Sequence, residues 1–156
     1  PKTIKPLYNK NIPLYVKCFF DIHLPGTVIH NKTIKNLPPI IVLKHDMVLI
    51  EFKTADYSFI GESNTSYLYS LFEKYNLRPR LTQNGAINII GIFDNKGDKI
   101  QQLAAEAAKL FTVTVTREVK LLTIRHYNDE IIHQYLNEKK ILVEQKTPQT
   151  VLVAFT

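Results

Sequence analysis

Hydrophobic and polar positions change period several times along this chain, and each change marks an element. Residues 12–17 (IPLYVK) alternate and predict a short strand. Pro25-Gly26 follows as a turn, and Thr27-Val28-Ile29 as a second short extended piece. Lys32 to Pro39 reads as a linker. Ile40–Leu43 is apolar and β-branched. Lys44-His45-Asp46 interrupts it, and Met47–Phe52 resumes as a strand. Tyr67, Leu68, Leu71, Phe72 and Tyr75 then recur at helical spacing, with Ser63 as the expected N-cap and Asn76 closing the helix.

Two apolar runs next flank Asn84-Gly85, the dipeptide of a tight two-residue hairpin, giving strands at Arg80–Gln83 and Ile87–Phe93. Asp98 is the expected cap of a helix whose stripe is Ile100, Leu103, Ala104, Ala107, Leu110 and Phe111. Thr112–Thr116 is a β-branched strand. The order over 47–116 is β-α-β-β-α-β, a ferredoxin-like unit with both helices on one face of an antiparallel sheet. That order explains why the hairpin lies between two helices.

A second copy begins at Val119–Ile124. Asn128 caps a helix carrying Ile131, Ile132, Tyr135 and Leu136, and strands follow at Ile141–Gln145 and Val151–Phe155 about Thr147-Pro148. This copy is β-α-β-β and leaves an apolar edge open. The extra strand at 40–45 is the candidate that completes it, which makes the first unit an insertion in the second. The expected fold class is α+β, with two ferredoxin-like units and antiparallel sheets. The expected division is a linker at 1–39, a first unit at 47–116, and a discontinuous second unit at 40–46 plus 117–156.

Charge changes the picture only at the N-terminal end. Residues 1–45 hold seven lysines and one acid, while the remainder holds 13 basic and 13 acidic residues, so the net +6 resides in the first segment. The ferredoxin-like part has no excess charge to attract phosphates. An RNA-recognition module of this topology also needs exposed aromatics on its third strand, where residues 87–93 offer only Phe93. Nucleic acid is therefore not an expected partner. The apolar runs are too short for a spanning helix and the start has no secretory pattern, so no membrane partner is expected. One cysteine, Cys18, suits a reducing compartment, and the expected location is cytoplasmic.

The five histidines (23, 30, 45, 126, 133) show no metal-ligand spacing, and no phosphate-binding glycine loop occurs. No catalytic or metal residues are expected. What remains is the loop from the first strand of the first unit into its helix, Asp56-Tyr57-Ser58-Phe59-Ile60-Gly61. Backbone N–H groups at a helix N-terminus suit a carboxylate.

The segment PKTIKPLYNKNIPLYVK followed by PGTVI resembles the stretch joining the kinase domain to the regulatory part of aspartate kinase (aspartokinase). The matching positions are Pro1, Thr3, Pro6, Asn11-Ile12-Pro13, Val16, Phe19 or Phe20, and Gly26-Thr27-Val28-Ile29. The remainder resembles that family's tandem ACT domains, one inserted in the other. The resemblance implies a regulatory piece of a longer chain. It would pair into a homodimer through its ACT domains, bind an end-product amino acid of the threonine or lysine class, and inhibit aspartate phosphorylation by its own kinase domain. The family's KFGGTS-like nucleotide motif is not in these residues, so no catalysis is expected of them; ATP and magnesium would belong to the kinase domain. The alternative is a purely structural dimerisation module with a degenerate effector site.

Carried onto this sequence, effector contacts would come from Asp56, Tyr57, Ser58, Phe59, Ile60 and Gly61, and from the hairpin residues Arg80, Thr82, Gln83, Asn84, Gly85 and Ala86. Lysine-inhibited relatives read V-D-x-I-x-T-S-E along the hairpin, where this chain has an arginine for the aspartate and an alanine for the glutamate. On that alignment Arg80 would repel a lysine ammonium. Gln83 and Asn84 would suit a neutral polar effector such as threonine.

Overall fold

The computed structural model describes residues 2–32, 37–56 and 58–156. The chain divides into two compact units, Pro1–Pro38 and Pro39–Thr156. In the first, helix α1 (Ile4–Asn9) precedes strands β1 (Leu14–Val16) and β2 (Thr27–Ile29), which pair antiparallel with Leu14 opposite Ile29. Gly26 turns the chain between them at φ 70°, a conformation that favours glycine. A side chain there would also run into the Val16 carbonyl.

The second unit contains one six-stranded antiparallel sheet, ordered β4-β5-β3-β6-β8-β7. Its centre is two long strands, β3 (Ile40–Thr54) and β6 (Phe111–Arg125). Around them lie helix α2 (Glu62–Lys74), strands β4 (Leu81–Asn84) and β5 (Asn88–Asp94), and helix α3 (Asp98–Ala107). Helix α4 (Asp129–Leu136) and strands β7 (Ile141–Lys146) and β8 (Thr150–Phe155) complete it. The fold class is α+β with ferredoxin-like units.

The sheet differs from the expectation of two separate sheets. The tandem strands expected at 40–43 and 47–52 are one strand, as are those at 112–116 and 119–124. Register shifts between Lys44 and Leu49 absorb the polar interruption without ending the strand. The backbone there adopts positive φ at Asp46 (54°) and at Glu118 (58°). The first half of the sheet is β4, β5 and the parts of β3 and β6 that pair Leu49–Thr54 with Phe111–Thr116. In the second half, residues 40–44 of β3 lie beside β6, with Ile41 opposite Ile124 and Leu43 opposite Leu122, and β8 and β7 follow.

Alternation along β3 assigns the faces. Val48, Ile50 and Phe52 are fully buried under α2 and α3, with Leu68, Phe72, Ile100, Leu103 and Phe111. Phe72 lies edge-on to Phe93 at 5.1 Å between ring centroids and tilted against Phe52 at 5.9 Å. Burying each such ring contributes about 1.5–3 kcal/mol, and the ring pairing roughly another 0.5–1.5. Helix α4 covers the second half through Leu136, over Leu122, Ile124, Val151 and Val153.

A third cluster joins the halves. Met47, Leu49, Leu81 and Ile92 from the first half bury together with Val119, Leu121, Val143 and Ala154 from the second. These residues lie on the helix-free faces, so the sheet bends about its long central strands and buries that side against itself. The two strands at the ends of the order also meet: Gln145 Nε2 on β7 donates to the Thr82 carbonyl on β4 at 2.7 Å.

Two expected caps differ. Helix α2 starts after Gly61 rather than Ser63, and α3 after Gly97 (φ 52°), with Asp98 inside its first turn and making no side-chain cap bond. Both start where the preceding turn ends, one residue or more ahead of the side chain expected to cap. Asn128 does cap α4, its side chain accepting from the Ile131 N–H at 2.9 Å. Asn76 follows the C-cap of α2 at φ 52°, and Leu77 N–H returns to the Phe72 carbonyl at 2.8 Å, the 6→1 bond of a Schellman helix end. In the stripe expected for α3, Ile100, Leu103 and Ala107 are buried, Leu110 is exposed and Phe111 opens β6.

Candidate functional site

The loop from β3 into α2 lies against the turn of the β4–β5 hairpin. Three bonds cross the junction, one of them from Thr54 Oγ1 to the Ile87 carbonyl at 3.3 Å, and a fourth braces the loop itself. Thr54 N–H donates to the Ile87 carbonyl at 3.0 Å, and Ile60 N–H donates to the Ala86 carbonyl at 2.8 Å. Thr54 Oγ1 reaches the Ser58 carbonyl at 2.8 Å. Thr54 is the one buried polar side chain among the described residues, 4% exposed. Its signal in the sequence is parity: it continues the inward series Val48, Ile50, Phe52 at the point where the strand ends.

The hairpin turn is not the expected Asn84-Gly85 pair. Asn84 still pairs with Ile89, and Gly85 N–H donates to the Asn88 carbonyl at 2.8 Å. The tip is therefore Ala86-Ile87, and Gly85 does not adopt positive φ. The physical reason is tertiary. The tip carbonyls of Ala86 and Ile87 are held by N–H groups of the neighbouring loop, which sets the turn without the left-handed dihedrals that an Asn-Gly turn supplies. Gly85 is needed for space instead, since a Cβ there would overlap the Asn88 side chain. Asn88 Nδ2 in turn donates to Glu51 Oε1 at 2.7 Å.

Within the loop, Asp56 Oδ1 accepts from Ser58 N–H at 3.1 Å and from Ser58 Oγ at 2.7 Å. These bonds, the side-chain one foremost, hold the Asp56 carboxyl below its ordinary range. Phe59 is 81% exposed, and Gly61 brings no side chain to the first turn of α2. Tyr57 lies outside the described residues. An open cleft beside the loop is lined by Thr54, Asp56, Ser58, Asn64, Tyr67 and Lys109, among others. Lys109 enters from the end of α3, and nothing local in the sequence announces it.

The hairpin residues divide. Ala86 touches the loop, with Gly85 and Asn84 adjacent. Gln83 is exposed on β4, and the Thr82 carbonyl is bonded to Gln145. Arg80 lies at the other end of the strand from the turn. It precedes β4, and its N–H donates to the Ile92 carbonyl at 2.7 Å. At roughly 3.4 Å per strand residue it lies roughly 14 Å along the strand from Asn84. Its guanidinium bonds Asp94, which Lys44 also approaches at 3.4 Å. A hairpin strand has two ends, and Arg80 belongs to the one away from the loop. Its charge is paired there with Asp94.

Among the described residues, no three His, Cys, Asp or Glu side chains gather as a metal site needs. Among them, too, no helix is long and apolar enough to cross a membrane.

The paired ferredoxin-like halves, sharing two long strands, define an ACT-type module. More particularly, the fold is that of aspartokinase regulatory regions. Aspartate kinase of Clostridium acetobutylicum superposes with a TM-score of 0.79 at 17% identity, over 99% of this chain and 40% of that one. Aspartokinase III of E. coli, in complex with lysine and aspartate, gives 0.73 at 16% identity, over 99% and 38%. The ligand-free regulatory subunit of aspartate kinase from Thermus thermophilus gives 0.55 at 8% identity, over 74% and 85%. This chain thus spans about two fifths of the length of the first two. No family model and no curated protein matches it in sequence.

Proposed function

We propose that this chain is an amino-acid-sensing regulatory module of an aspartate kinase, which pairs through its ACT-type units. The observation that carries the proposal is the bond from Ile60 N–H to the Ala86 carbonyl, which brings the helix-entry loop and the hairpin turn together. The loop offers backbone groups at the start of α2 to an α-carboxylate, and the end of β4 beside the turn offers Asn84 to a side chain. The likeness to aspartokinase III, whose solved complex contains lysine, supports an amino-acid ligand. With Arg80 paired at the far end of the hairpin, its charge no longer weighs against lysine, so lysine and threonine are both tested. Catalysis, with ATP and magnesium, is assigned to a kinase domain beyond these residues. An effector acts by binding one arrangement of the domains better than another, a coupling of typically 1–3 kcal/mol.

The test is calorimetry and thermal unfolding with lysine, threonine and methionine. A ligand at 100 times its Kd stabilises the fold by about 2.7 kcal/mol. Absence of heat and of any shift with all three removes the sensing proposal.

One observation favours a purely structural dimerisation module. Ser58 and Ile60 have already committed their N–H groups, to Asp56 and Ala86. A dimer in sedimentation equilibrium that responds to no amino acid would select that reading.

A further inference from the structure

The contact between Gln145 and Thr82 links the outer strands of the two halves. Strand β4 ends the order of the sheet beside β5, so among the described residues part of its backbone faces outward. The Thr82 carbonyl on that strand receives the Gln145 amide at 2.7 Å, in a partly buried setting. Gln145 lies two residues from Val143 on β7 and so shares its face, the one that packs on Leu81 and Ile92. The bond is therefore seated beside an apolar cluster common to both halves. The hairpin that carries Thr82 ends in the turn held by Ile60 and Thr54. Strand β4 therefore runs from the turn at the candidate site to a direct contact with β7 of the second half.

We propose that Gln145 is a positioning residue that couples the hairpin to β7, so that whatever tightens or loosens the hairpin does the same to the outer strand of the second half. The coupling stands on the Gln145–Thr82 geometry; its use in signalling an effector rests on the sensing proposal above. The glutamine suits this task. Its amide donates to a carbonyl at full side-chain reach, whereas an ionised glutamate of the same length presents only acceptors.

Amide hydrogen exchange on the whole chain tests this without any ligand. G85A disturbs the hairpin, because its Cβ meets Asn88. N88S, which removes the bond to Glu51, serves where G85A folds poorly. In an otherwise unaltered chain either change should speed exchange in β4 and raise it at least fivefold in β7, with α3 unchanged as the control for global opening. With Q145L or Q145E in the background, the same change should remain confined to the hairpin. Unaltered β7 exchange in G85A and N88S, or an equal rise with and without Gln145, overturns the proposal. Lysine or threonine then supplies a separate arm: protection of both strands in the unaltered chain and of the hairpin alone in Q145L. Absence of protection anywhere in that arm counts against sensing, while the variant arm still decides the coupling.

Discussion

The Arg80 guanidinium converges on a single oxygen of Asp94, with Nε at 2.9 Å and Nη2 at 2.5 Å from Oδ2. This pair sits where β4 begins and β5 ends, away from the loop that enters α2. Arg80→Ala should therefore leave amino-acid affinity within about twofold and stability little changed, because both side chains are over a third exposed to screening solvent. Calorimetry and urea unfolding measure the two effects. A tenfold gain in lysine affinity would instead place Arg80 at the effector.

Acid should expose the same pair. The bond from Arg80, ahead of the attraction of Lys44, holds the Asp94 carboxyl below its ordinary value. Lys74, followed by Tyr75, does the same for Glu106 between α2 and α3. A carboxyl whose folded pKa is depressed contributes stability that is present above its unfolded pKa and is lost as pH falls through the folded one. Stability should accordingly decline as pH falls below about 4, the ordinary carboxylate range. Asp94→Asn should flatten part of that decline. Urea midpoints between pH 5 and 2 test this, and an unchanged slope in the variant would assign the decline to other carboxylates.

Two glycines of the candidate site should behave differently. At Gly85 a methyl group meets the Asn88 side chain, which must swing away and forfeit Glu51. Gly85→Ala should cost about 1–2 kcal/mol, the range for a lost hydrogen bond with local crowding. At Gly61 a methyl group meets nothing within 4 Å, so Gly61→Ala should stay within about 1 kcal/mol, the ordinary cost of an N-cap change. Equal losses at both positions would mean that the turn is not packed as described.

The repeated order of elements was legible because period changes are local: 3.6-residue stripes at 67–75 and 100–107, and β-branched runs between them. The strand at 40–45 was legible as an apolar run without a partner, and β6 became its partner. The continuity of β3 and β6 was not legible, because Lys44-His45-Asp46 and Thr116-Arg117-Glu118 look like breaks until a sheet on either side makes bulges of them. The turn at Ala86-Ile87 was misplaced by its strongest local signal, because backbone bonds from Thr54 and Ile60 outweigh the dihedral preference of Asn84-Gly85. The place of Arg80, at the end of the strand away from the loop, was not legible, because an alignment gives position along a strand but not which end of the strand approaches the loop. Lys109 and Gln145 reach their neighbours through tertiary packing, and no window of sequence contains either contact.

Glu118 offers the most direct test of the long central strands. It holds φ at 58° in the irregular stretch of the β3–β6 ladder, beside Val119, which is fully buried. A side chain in the left-handed region costs roughly 1–2 kcal/mol, whereas glycine occupies it without that cost. Glycine also loses more chain entropy on folding, which offsets part of the gain. Glu118→Gly should therefore stabilise the protein by about 0.5–1 kcal/mol. Asp46→Gly should give less, because Asp46 also accepts the Asn95 side-chain amide at 2.9 Å. Thermal and urea unfolding of the two variants should rank them in that order. Destabilisation by Glu118→Gly would mean that β6 runs through this point in extended conformation, and that the two halves do not share it as one bent strand.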